Sequence, residues 1–305
     1  MLERAELRAV DAVRAVAGLQ AQDSAGPYLG LRARLRDFRR AELTAAVEAR
    51  GVLVATLQRV TLHMVDAADY RWLKPTLRPL HEQTRRRPGI AELDHEAVLA
   101  QARRLLPARM PELRALVPDV NPGHVSDFLQ SNLPLVRVPP AGTWGVGGSP
   151  LQELAEVGEA DDERLVLTYL SAFGPATPKD AQAWSGLTNL AAAFARLDLV
   201  QLEGDDGTIY YDVPGAPLPP AGTEAPVRFL PRFDNVLLAH ADRRRVIPEG
   251  RPTRGVVGNN TVLVDGMVAG TWRATGGEVE VMPYSCFPPE VKAERRRLRN
   301  WLSDG

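Results

Sequence analysis

One order of elements recurs along this sequence: short helical segments, then two β-rich runs that can pair as a hairpin. The order is clearest in the third quarter of the chain, where the runs 199–203 and 208–213 flank the turn sequence Gly-Asp-Asp-Gly at 204–207. An Asp-Gly dipeptide between two runs of strand length favours a hairpin. Short helices followed by such a hairpin are typical of the winged-helix variant of the helix-turn-helix.

The same order is predicted twice more, at the start of the chain and, less clearly, in residues 66–150. At the start, helical patterns at 4–19, 29–35 and 39–49 precede β-rich runs at 52–56 and 59–65. A proline-rich linker follows the third hairpin, and strands dominate after it. We therefore predict an α+β protein with three tandem winged-helix modules and a C-terminal antiparallel β-barrel-like module that ends in an arginine-rich helix. The predicted segments are 1–65, 66–150, 151–213, the linker 214–226, and 227–305.

Composition excludes several classes of site. The single cysteine, Cys286, rules out a disulfide within the chain and a zinc site built from cysteines. The five histidines never cluster at metal-ligand spacing and no known nucleotide-binding loop is present, so we expect neither a metal nor an organic cofactor. The first residues lack the apolar core of a signal peptide, and no apolar run approaches the roughly 20 residues of a membrane helix. We expect a cytoplasmic protein without membrane partners.

The net charge of −1 hides an uneven distribution of basic residues. Arginine supplies 34 of the 37 basic side chains, and it is the side chain best suited to phosphate. Residues 228–254 hold seven arginines against three acidic residues, whereas residues 152–163 are strongly acidic. Such separation gives a near-neutral protein one cationic face. The candidate DNA-contacting side chains in the basic segment are Arg232, Arg243, Arg244, Arg245 and Arg254.

Two glutamines flank one small residue in Gln20-Ala21-Gln22, at the end of the first predicted helix. On an extended or turn segment, side chains two residues apart point to the same side. Primary amides are neutral donors and acceptors, able to hold a water or a sugar oxygen but not to act as strong acids or bases. The alternative is a pair of surface glutamines that follow a helix.

Two further polar groups each leave two interpretations open. Arg59, Thr61 and His63 alternate along one predicted strand and would share a side, either as a polar strip lining a cleft or as the solvent face of a hairpin. Arg232, Asp234 and Asn235 stand in a predicted loop before an apolar turn and the Arg243–Arg245 run. This second group suits either phosphate positioning or a solvated charge run.

Taken together, these stretches resemble the winged-helix DNA glycosylase family typified by bacterial AlkZ and YcaQ. The resemblance spans nearly the whole chain and depends on the order of individually weak motifs. The motifs that support the resemblance are GLQAQ at 18–22, RVTLH at 59–63, YLSAFGPAT at 169–177 with WSGL at 184–187, LPRFDN at 230–235, and VDG at 264–266 with GTW at 270–272. Family members have a longer segment before the first motif helix than this chain has.

The resemblance implies a monofunctional DNA glycosylase that excises N7-alkylated purines, including bulky adducts and interstrand crosslinks made by DNA-alkylating natural products. Its catalytic signature is glutamine, an apolar residue, then glutamine or aspartate, and Gln20-Ala21-Gln22 matches the double-glutamine form of the AlkZ branch. The implied partner is double-stranded DNA with alkylated purines, bound by a monomer that associates with the nucleoid. Two alternatives from other classes are a non-catalytic DNA-binding protein such as a transcriptional regulator, and a protein-interaction scaffold.

Overall fold

The computed structural model describes residues 2–303, which form small antiparallel sheets and the helices packed on them. The α-helices are α1 Ala9–Ala15, α2 Gly26–Arg34, α3 Arg40–Glu48, α4 Ala67–Thr76, α5 Arg78–Glu82, α6 His95–Leu105, α7 Met110–Arg114, α8 Pro122–Asn132, α9 Asp162–Phe173, α10 Pro178–Ser185, α11 Ala191–Arg196, α12 Asn235–Leu238, α13 Thr253–Val257 and α14 Glu290–Ser303. The strands are β1 Leu19–Gln20, β2 Val52–Thr56, β3 Leu62–Asp66, β4 Ala108–Arg109, β5 Leu135–Arg137, β6 Leu151–Leu154, β7 Val200–Glu203, β8 Ile209–Asp212, β9 Arg228–Leu230, β10 Asn260–Val264, β11 Met267–Thr275 and β12 Glu278–Pro283. Short 3₁₀ turns lie at Gln58–Val60, Gln83–Arg86 and Arg243–Arg245.

The first sheet has the order β1-β3-β2 and carries the glutamine motif at its edge. Helix α1 is shorter than predicted because Ala17 and Gly18 both take positive φ, 54° and 86°, which ends the helix and redirects the chain. Glycine is required at 18, since a Cβ there would lie 3.0 Å from the Met64 carbonyl oxygen. Strand β1 then pairs antiparallel with β3, and the register sets Gln20 opposite His63.

The predicted strand over 59–65 is wrong at its first residues. Arg59 and Val60 have φ of 54° and 56°, so they form a left-handed turn, and β3 begins only at Leu62. Positive φ is unfavourable for a β-branched residue such as Val60, and strain of this kind clusters at functional sites. We call residues 58–60 the Arg59 turn.

Small antiparallel sheets also form in the middle and in the third quarter of the chain. The hairpin around residues 204–207 is present, as β7 pairs antiparallel with β8. The middle of the chain forms a three-stranded sheet, β4-β6-β5. The division into winged-helix modules with the boundaries given above stays a prediction.

The C-terminal strands form an open four-stranded antiparallel sheet of order β12-β11-β10-β9, so the predicted barrel is wrong. A barrel requires the two edge strands to pair with each other. Helix α14 instead packs on this sheet, burying Val291 and Leu298 in a cluster with Phe229 and Trp272. The coarser assignment to the α+β class is confirmed.

One hydrophobic cluster joins the first sheet to helices α9 and α10. It contains Ala17 and Leu57, which flank the first sheet, together with Tyr169 and Trp184 of α9 and α10. Residues next to the glutamine motif and next to the Arg59 turn are therefore fixed against α9 and α10. Among the described helices, none is long and apolar enough to cross a membrane.

Candidate functional site

The two glutamines lie on the outer side of the edge strand β1 and the bend that follows it. Leu19 and Ala21 are buried, whereas Gln20 is half-buried and Gln22 is exposed. This alternation matches the prediction that the glutamines face the same way. The backbone N–H of Ala21 donates to the Leu62 carbonyl oxygen at 2.7 Å, which ties the middle of the motif to β3.

The Arg59 guanidinium fixes the orientation of the Gln20 amide. Arg59 Nη2 donates to Gln20 Oε1 across 3.1 Å. Because a guanidinium only donates, the carbonyl end of the amide must face it, and the Nε2 end is left for another partner. Gln22 forms no hydrogen bond with any residue in the described part of the chain, so both ends of its amide are available.

Arg59 is itself held by the C-terminal end of α10. Its Nη1 donates to the Trp184 carbonyl oxygen. Gly186, with φ of 84°, packs so closely that a Cβ there would lie 3.2 Å from both the backbone N and the Cα of Arg59. The sequence analysis assigned no role to Trp184 or Gly186, although WSGL was one of the motifs that carried the family resemblance.

His63 is buried, with 2% of its surface exposed, so it does not lie on a solvent face. Its Nδ1 donates to the Thr61 carbonyl oxygen at 2.9 Å, which leaves the Nε2 lone pair facing Arg59 Nη2 at 3.5 Å. Burial, with the nearby Arg59 charge, lowers the pKa of His63 to about 3. The imidazole is therefore neutral at physiological pH and accepts from the guanidinium.

Thr61 does not complete a polar strip with these residues. Its hydroxyl donates to the Gln58 carbonyl oxygen at 3.0 Å and closes the Arg59 turn. Of the three residues predicted to share one side of a strand, Arg59 and His63 meet at Gln20 by way of the turn, because Arg59 precedes β3 and folds back over it.

The structure gives Asp234 and Asn235 internal partners instead of an exposed position. Asp234 receives two hydrogen bonds from Arg34, at 2.7 and 2.8 Å, and caps α12 by accepting from Val236 N. Asn235 Nδ2 donates to the carbonyl oxygens of Val16 and Gly18, at 3.0 and 2.5 Å. Both side chains are buried, so they support the segment that leads into the glutamine motif and are not placed to meet DNA.

Arg232 remains on the surface near the motif. Its Nη2 lies 3.2 Å from Asp23 Oδ2, and the same carboxylate accepts from the Ala25 backbone N–H through Oδ1. Asp23 follows Gln22 directly, so this ion pair sets a cation beside the exposed glutamine. A role for Arg232 in DNA contact stays a prediction.

The arginines of the basic segment differ in how they are partnered. Arg244 binds Asp242, with Nη2 2.7 Å from Oδ2, and Arg245 stacks 4.9 Å over the Tyr210 ring. Arg243 is half-buried and its guanidinium has neither an ion pair nor a hydrogen bond among the described residues. Arg254 is exposed on α13.

The charge of Arg243 acts on Arg59, an effect that was not predicted from the sequence. Burial and the positive charge of Arg243 together lower the pKa of Arg59 to about 10. Arg59 is still charged at neutral pH. The described residues contain no group of three or more His, Cys, Asp or Glu side chains placed to hold a metal ion.

This arrangement can orient neutral and anionic ligands. Gln20 offers an N–H donor, Gln22 offers both a donor and an acceptor, and Arg59 offers positive charge. Within residues 2–303, no carboxylate forms a hydrogen bond or ion pair with Gln20, Gln22, Arg59 or His63. The cluster therefore suits positioning and electrostatic stabilisation more than proton transfer.

Comparison with known proteins identifies the family. The family model of AlkZ-like DNA glycosylases matches residues 13–302. Among solved structures, the fold is similar to that of the Streptomyces sahachiroi DNA glycosylase AlkZ, with a TM-score of 0.80 and 19% sequence identity, covering 99% of this chain and 93% of that chain. No curated protein sequence matches.

The two matches carry different weight. The structural likeness, at this identity, establishes the fold. The family match spans nearly the whole sequence and favours an enzyme over a transcriptional regulator or a scaffold. The chain belongs to the AlkZ-like family of DNA N-glycosylases.

Proposed function

We propose that the protein is a monofunctional DNA glycosylase that hydrolyses the N-glycosidic bond of N7-alkylated purines in double-stranded DNA. Its substrates would include bulky adducts and interstrand crosslinks made by genotoxic natural products, and its role would be repair or self-resistance at the nucleoid. The observation that carries this proposal is the pair Gln20 and Gln22, set on one side of an edge strand with the Gln20 amide oriented by Arg59.

The proposed substrate follows from the neutral chemistry of the two amides. Alkylation at N7 gives the purine a positive charge, which makes the base a good leaving group without protonation. Asp23, the carboxylate next to the motif, is engaged by Arg232 and by the Ala25 N–H. A site that positions groups without supplying a strong acid is sufficient for an activated base, and it would work poorly on an uncharged one.

The hydrogen bond from Arg59 also divides the work between the glutamines. Gln20 has its Oε1 occupied, so it would donate through Nε2 to an oxygen of the deoxyribose or a phosphate. Gln22 has a free Oε1 that can accept from the attacking water and direct its lone pair at the sugar C1′. Orientation of this kind can supply a large part of a rate enhancement without any proton transfer by the protein.

An exposed site also suits bulky lesions. Extruding a base into a closed pocket limits the size of the adduct it can carry. Gln22 is exposed and β1 is an edge strand, so an adduct would not need to be enclosed. We propose that the helix–hairpin units act as winged-helix modules that bind the duplex around this strand, and that the protein works as a monomer.

The test is base release from a duplex with one N7-methylguanine, detected by heat or alkali cleavage of the abasic product. A matched duplex with an uncharged lesion, 1,N⁶-ethenoadenine, and an undamaged duplex serve as controls. We expect release from the N7-methylguanine duplex alone. If no N7-alkylated duplex is processed while undamaged DNA is bound tightly, the protein acts as a DNA-binding regulator, and equal release of the uncharged lesion would contradict the role given to substrate charge.

A further inference from the structure

The C-terminal helix α14 concentrates positive charge on one exposed face. Lys292, Arg295, Arg296 and Arg299 are all exposed, and they follow the spacing i, i+3, i+4 and i+7. That spacing makes the side chains neighbours on a helix surface. Together they line a surface groove of about 180 Å³. We call these four residues the cationic face, because their charges act at one place on the surface.

The acidic residue in the middle of α14 does not balance this face. Glu294 is buried and lies 2.5 Å from Arg32 of α2 and 3.5 Å from Arg297, an exposed arginine on the other side of α14. On the cationic face, Arg299 lies 3.6 Å from Glu278. The other three cations have no ion pair or side-chain hydrogen bond among residues 2–303. The face therefore sets four cations against one carboxylate.

The density of charge on this face, more than the lack of partners for any one residue, indicates a polyanion. Like charges three and four residues apart on a helix repel each other and destabilise it. Glutamine has a helix propensity similar to that of lysine and arginine, so the fold of α14 does not require these cations. The family acts on DNA, whose backbone carries a matching row of negative charges. Charge complementarity therefore favours DNA as the occupant of the cationic face.

The buried side of α14 holds the cationic face in a fixed position. Val291 and Leu298 pack in one cluster with Leu29 of α2. Near the end of the helix, Trp301 Nε1 donates to the Phe38 carbonyl oxygen at 2.8 Å. The helix is thereby attached to α2 and to the segment before α3, and its cations are presented on a rigid support.

The cationic face lies on the solvent side of α14, away from α2. Helix α2 begins at Gly26, shortly after Gln22, and it is the buried side of α14 that packs on it. A helix with its side chains is about 10 Å across. The cationic face and the bend that carries Gln22 are therefore separated by the body of α14. A phosphate bound at this face belongs to DNA outside the lesion nucleotide.

We infer that the cationic face of α14 binds the phosphate backbone of duplex DNA away from the lesion, without regard to sequence or damage. From Lys292 to Arg299 the helix rises about 10 Å, which matches the axial rise of about three phosphates on one strand. Arginine suits such contacts because its guanidinium matches phosphate oxygens with parallel N–H donors. These contacts add affinity and hold the protein on the duplex, whereas they do not select a base. The inference rests on DNA as the substrate and not on the identity of the lesion.

The test compares Arg296→Gln with Arg297→Gln, two adjacent changes that remove the same charge from the same helix. Affinity for an undamaged duplex is measured across a range of salt concentrations. Arg296→Gln should lower the slope of log affinity against log salt by about one, and affinity by up to about tenfold near 0.1 M salt. Arg297→Gln should change neither, because Arg297 lies on the other side of the helix beside Glu294. The thermal unfolding midpoint of Arg296→Gln should not fall, since glutamine keeps the helix and relieves repulsion.

A triple variant, Lys292→Gln with Arg295→Gln and Arg296→Gln, tests the location of the bound phosphates. It should lower the salt slope by about three on a long duplex and change it little on a duplex just long enough to span the lesion. Single-turnover base release at saturating duplex should equal that of the wild type.

The inference is overturned if Arg296→Gln leaves the salt slope unchanged, or if Arg297→Gln lowers it equally, which would show an effect of net charge alone. Slower release by the triple variant at saturation would also overturn it, because the face would then belong to the glutamine site. Affinity for undamaged DNA decides the matter even if no N7-alkylated base is released. Failure of the cationic face and failure of the proposed function are therefore distinguishable.

Discussion

Arg59 Nη2 lies 3.1 Å from Gln20 Oε1 and thereby fixes the orientation of the Gln20 amide. The donor belongs to a left-handed turn and the acceptor to an edge strand, so the contact depends on the fold of 58–60. Without Arg59, the Gln20 amide would be free to rotate. Arg59 is therefore best described as the residue that positions Gln20.

Removal of the Arg59 guanidinium should slow base release strongly and lower the thermal unfolding midpoint only slightly. Arg59→Asn is the suitable change, because asparagine tolerates the positive φ of 54° at this position. We expect single-turnover release to fall by about tenfold or more, the value of one charge-assisted hydrogen bond. Thermal unfolding should shift little, since the variant also removes a desolvated charge that lacks a carboxylate partner. A large fall in the unfolding midpoint with unchanged release would assign Arg59 to folding alone.

Gly186→Ala should disturb the glutamine site indirectly, by displacing the Arg59 turn. The new Cβ would lie 3.2 Å from the backbone N and Cα of Arg59, and φ is 84°. Gly145→Ala is the matched control, because Gly145 has φ of 74° and open space around its Cβ position. Both variants should lose about 1–2 kcal/mol of unfolding free energy through positive φ.

Only Gly186→Ala should also lower the rate of base release, because only it displaces the Arg59 turn. Urea unfolding and single-turnover release, measured on the same protein samples, separate the two effects. Equal rates for Gly186→Ala and Gly145→Ala would show that the turn tolerates displacement.

Asn235→Ala should loosen the segment before the glutamine motif. The Asn235 amide donates to the carbonyl oxygens of Val16 and Gly18, and its loss leaves both without that partner. We expect the unfolding free energy to fall by about 1–3 kcal/mol and base release to fall with it. Asn259→Ala is the control, since Asn259 is exposed and donates only to the nearby Gly255 carbonyl oxygen. Release at the wild-type rate by Asn235→Ala would argue against support of the motif by this side chain.

Acid should destabilise the protein because two histidines are buried in the neutral form. Burial lowers the pKa of both His63 and His81 to about 3, from an ordinary value of 6.5. Below pH 6.5 the unfolded chain binds these protons and the folded protein does not, so the unfolding free energy falls as pH falls from about 6.5 towards 3. Each histidine contributes up to about 1.4 kcal/mol per pH unit in that window.

His63→Gln should make the acid dependence shallower than that of the wild type. Urea unfolding from pH 7.5 to 5 measures both slopes. Base release by the wild type should show no titration of His63 near pH 6.5. An unchanged slope in His63→Gln would indicate that folding does not lower the pKa of His63.

The local patterns predicted several elements well, because strand propensity and turn residues act at short range. The β7–β8 hairpin follows from its Asp-Gly turn, and the extended or turn setting of Gln20 and Gln22 follows from the break after the first helix. The sequence also indicated that Arg59 and His63 belong together. The predicted reason for their proximity, a shared side of one strand, is wrong. Arg59 and Val60 have positive φ and form a turn that packs against the end of α10.

Long-range partners could not be read from the sequence. Asp234 and Asn235 stand in a polar loop pattern that suits DNA contact, yet Arg34 and the carbonyls of Val16 and Gly18, some 200 residues earlier, take up their side chains. The same limit applies to the C-terminal strands. Alternation and turns predict an antiparallel sheet, but whether its edges close into a barrel depends on strand tilt and stagger.

The two glutamines provide the strongest prediction about catalysis. Gln20→Ala and Gln22→Ala should each lower the rate of base release by about a hundred- to a thousandfold, the scale of one oriented hydrogen bond in a transition state. Affinity for lesion DNA should change far less, because contacts to the DNA backbone carry most of it. Gln22→Asp should retain part of the activity, since a carboxylate can still accept from water and favours a cationic sugar. Asp23→Asn is the neighbouring control and should excise at nearly the wild-type rate.

The most direct test is single-turnover base release from an N7-methylguanine duplex by the wild type and the two alanine variants, beside a binding titration at one salt concentration. The proposed role of the two glutamines predicts that release falls by about two to three orders of magnitude in each variant while the dissociation constant changes by less than about tenfold. Release at the wild-type rate by both alanine variants would contradict it and make Gln20 and Gln22 ordinary surface residues.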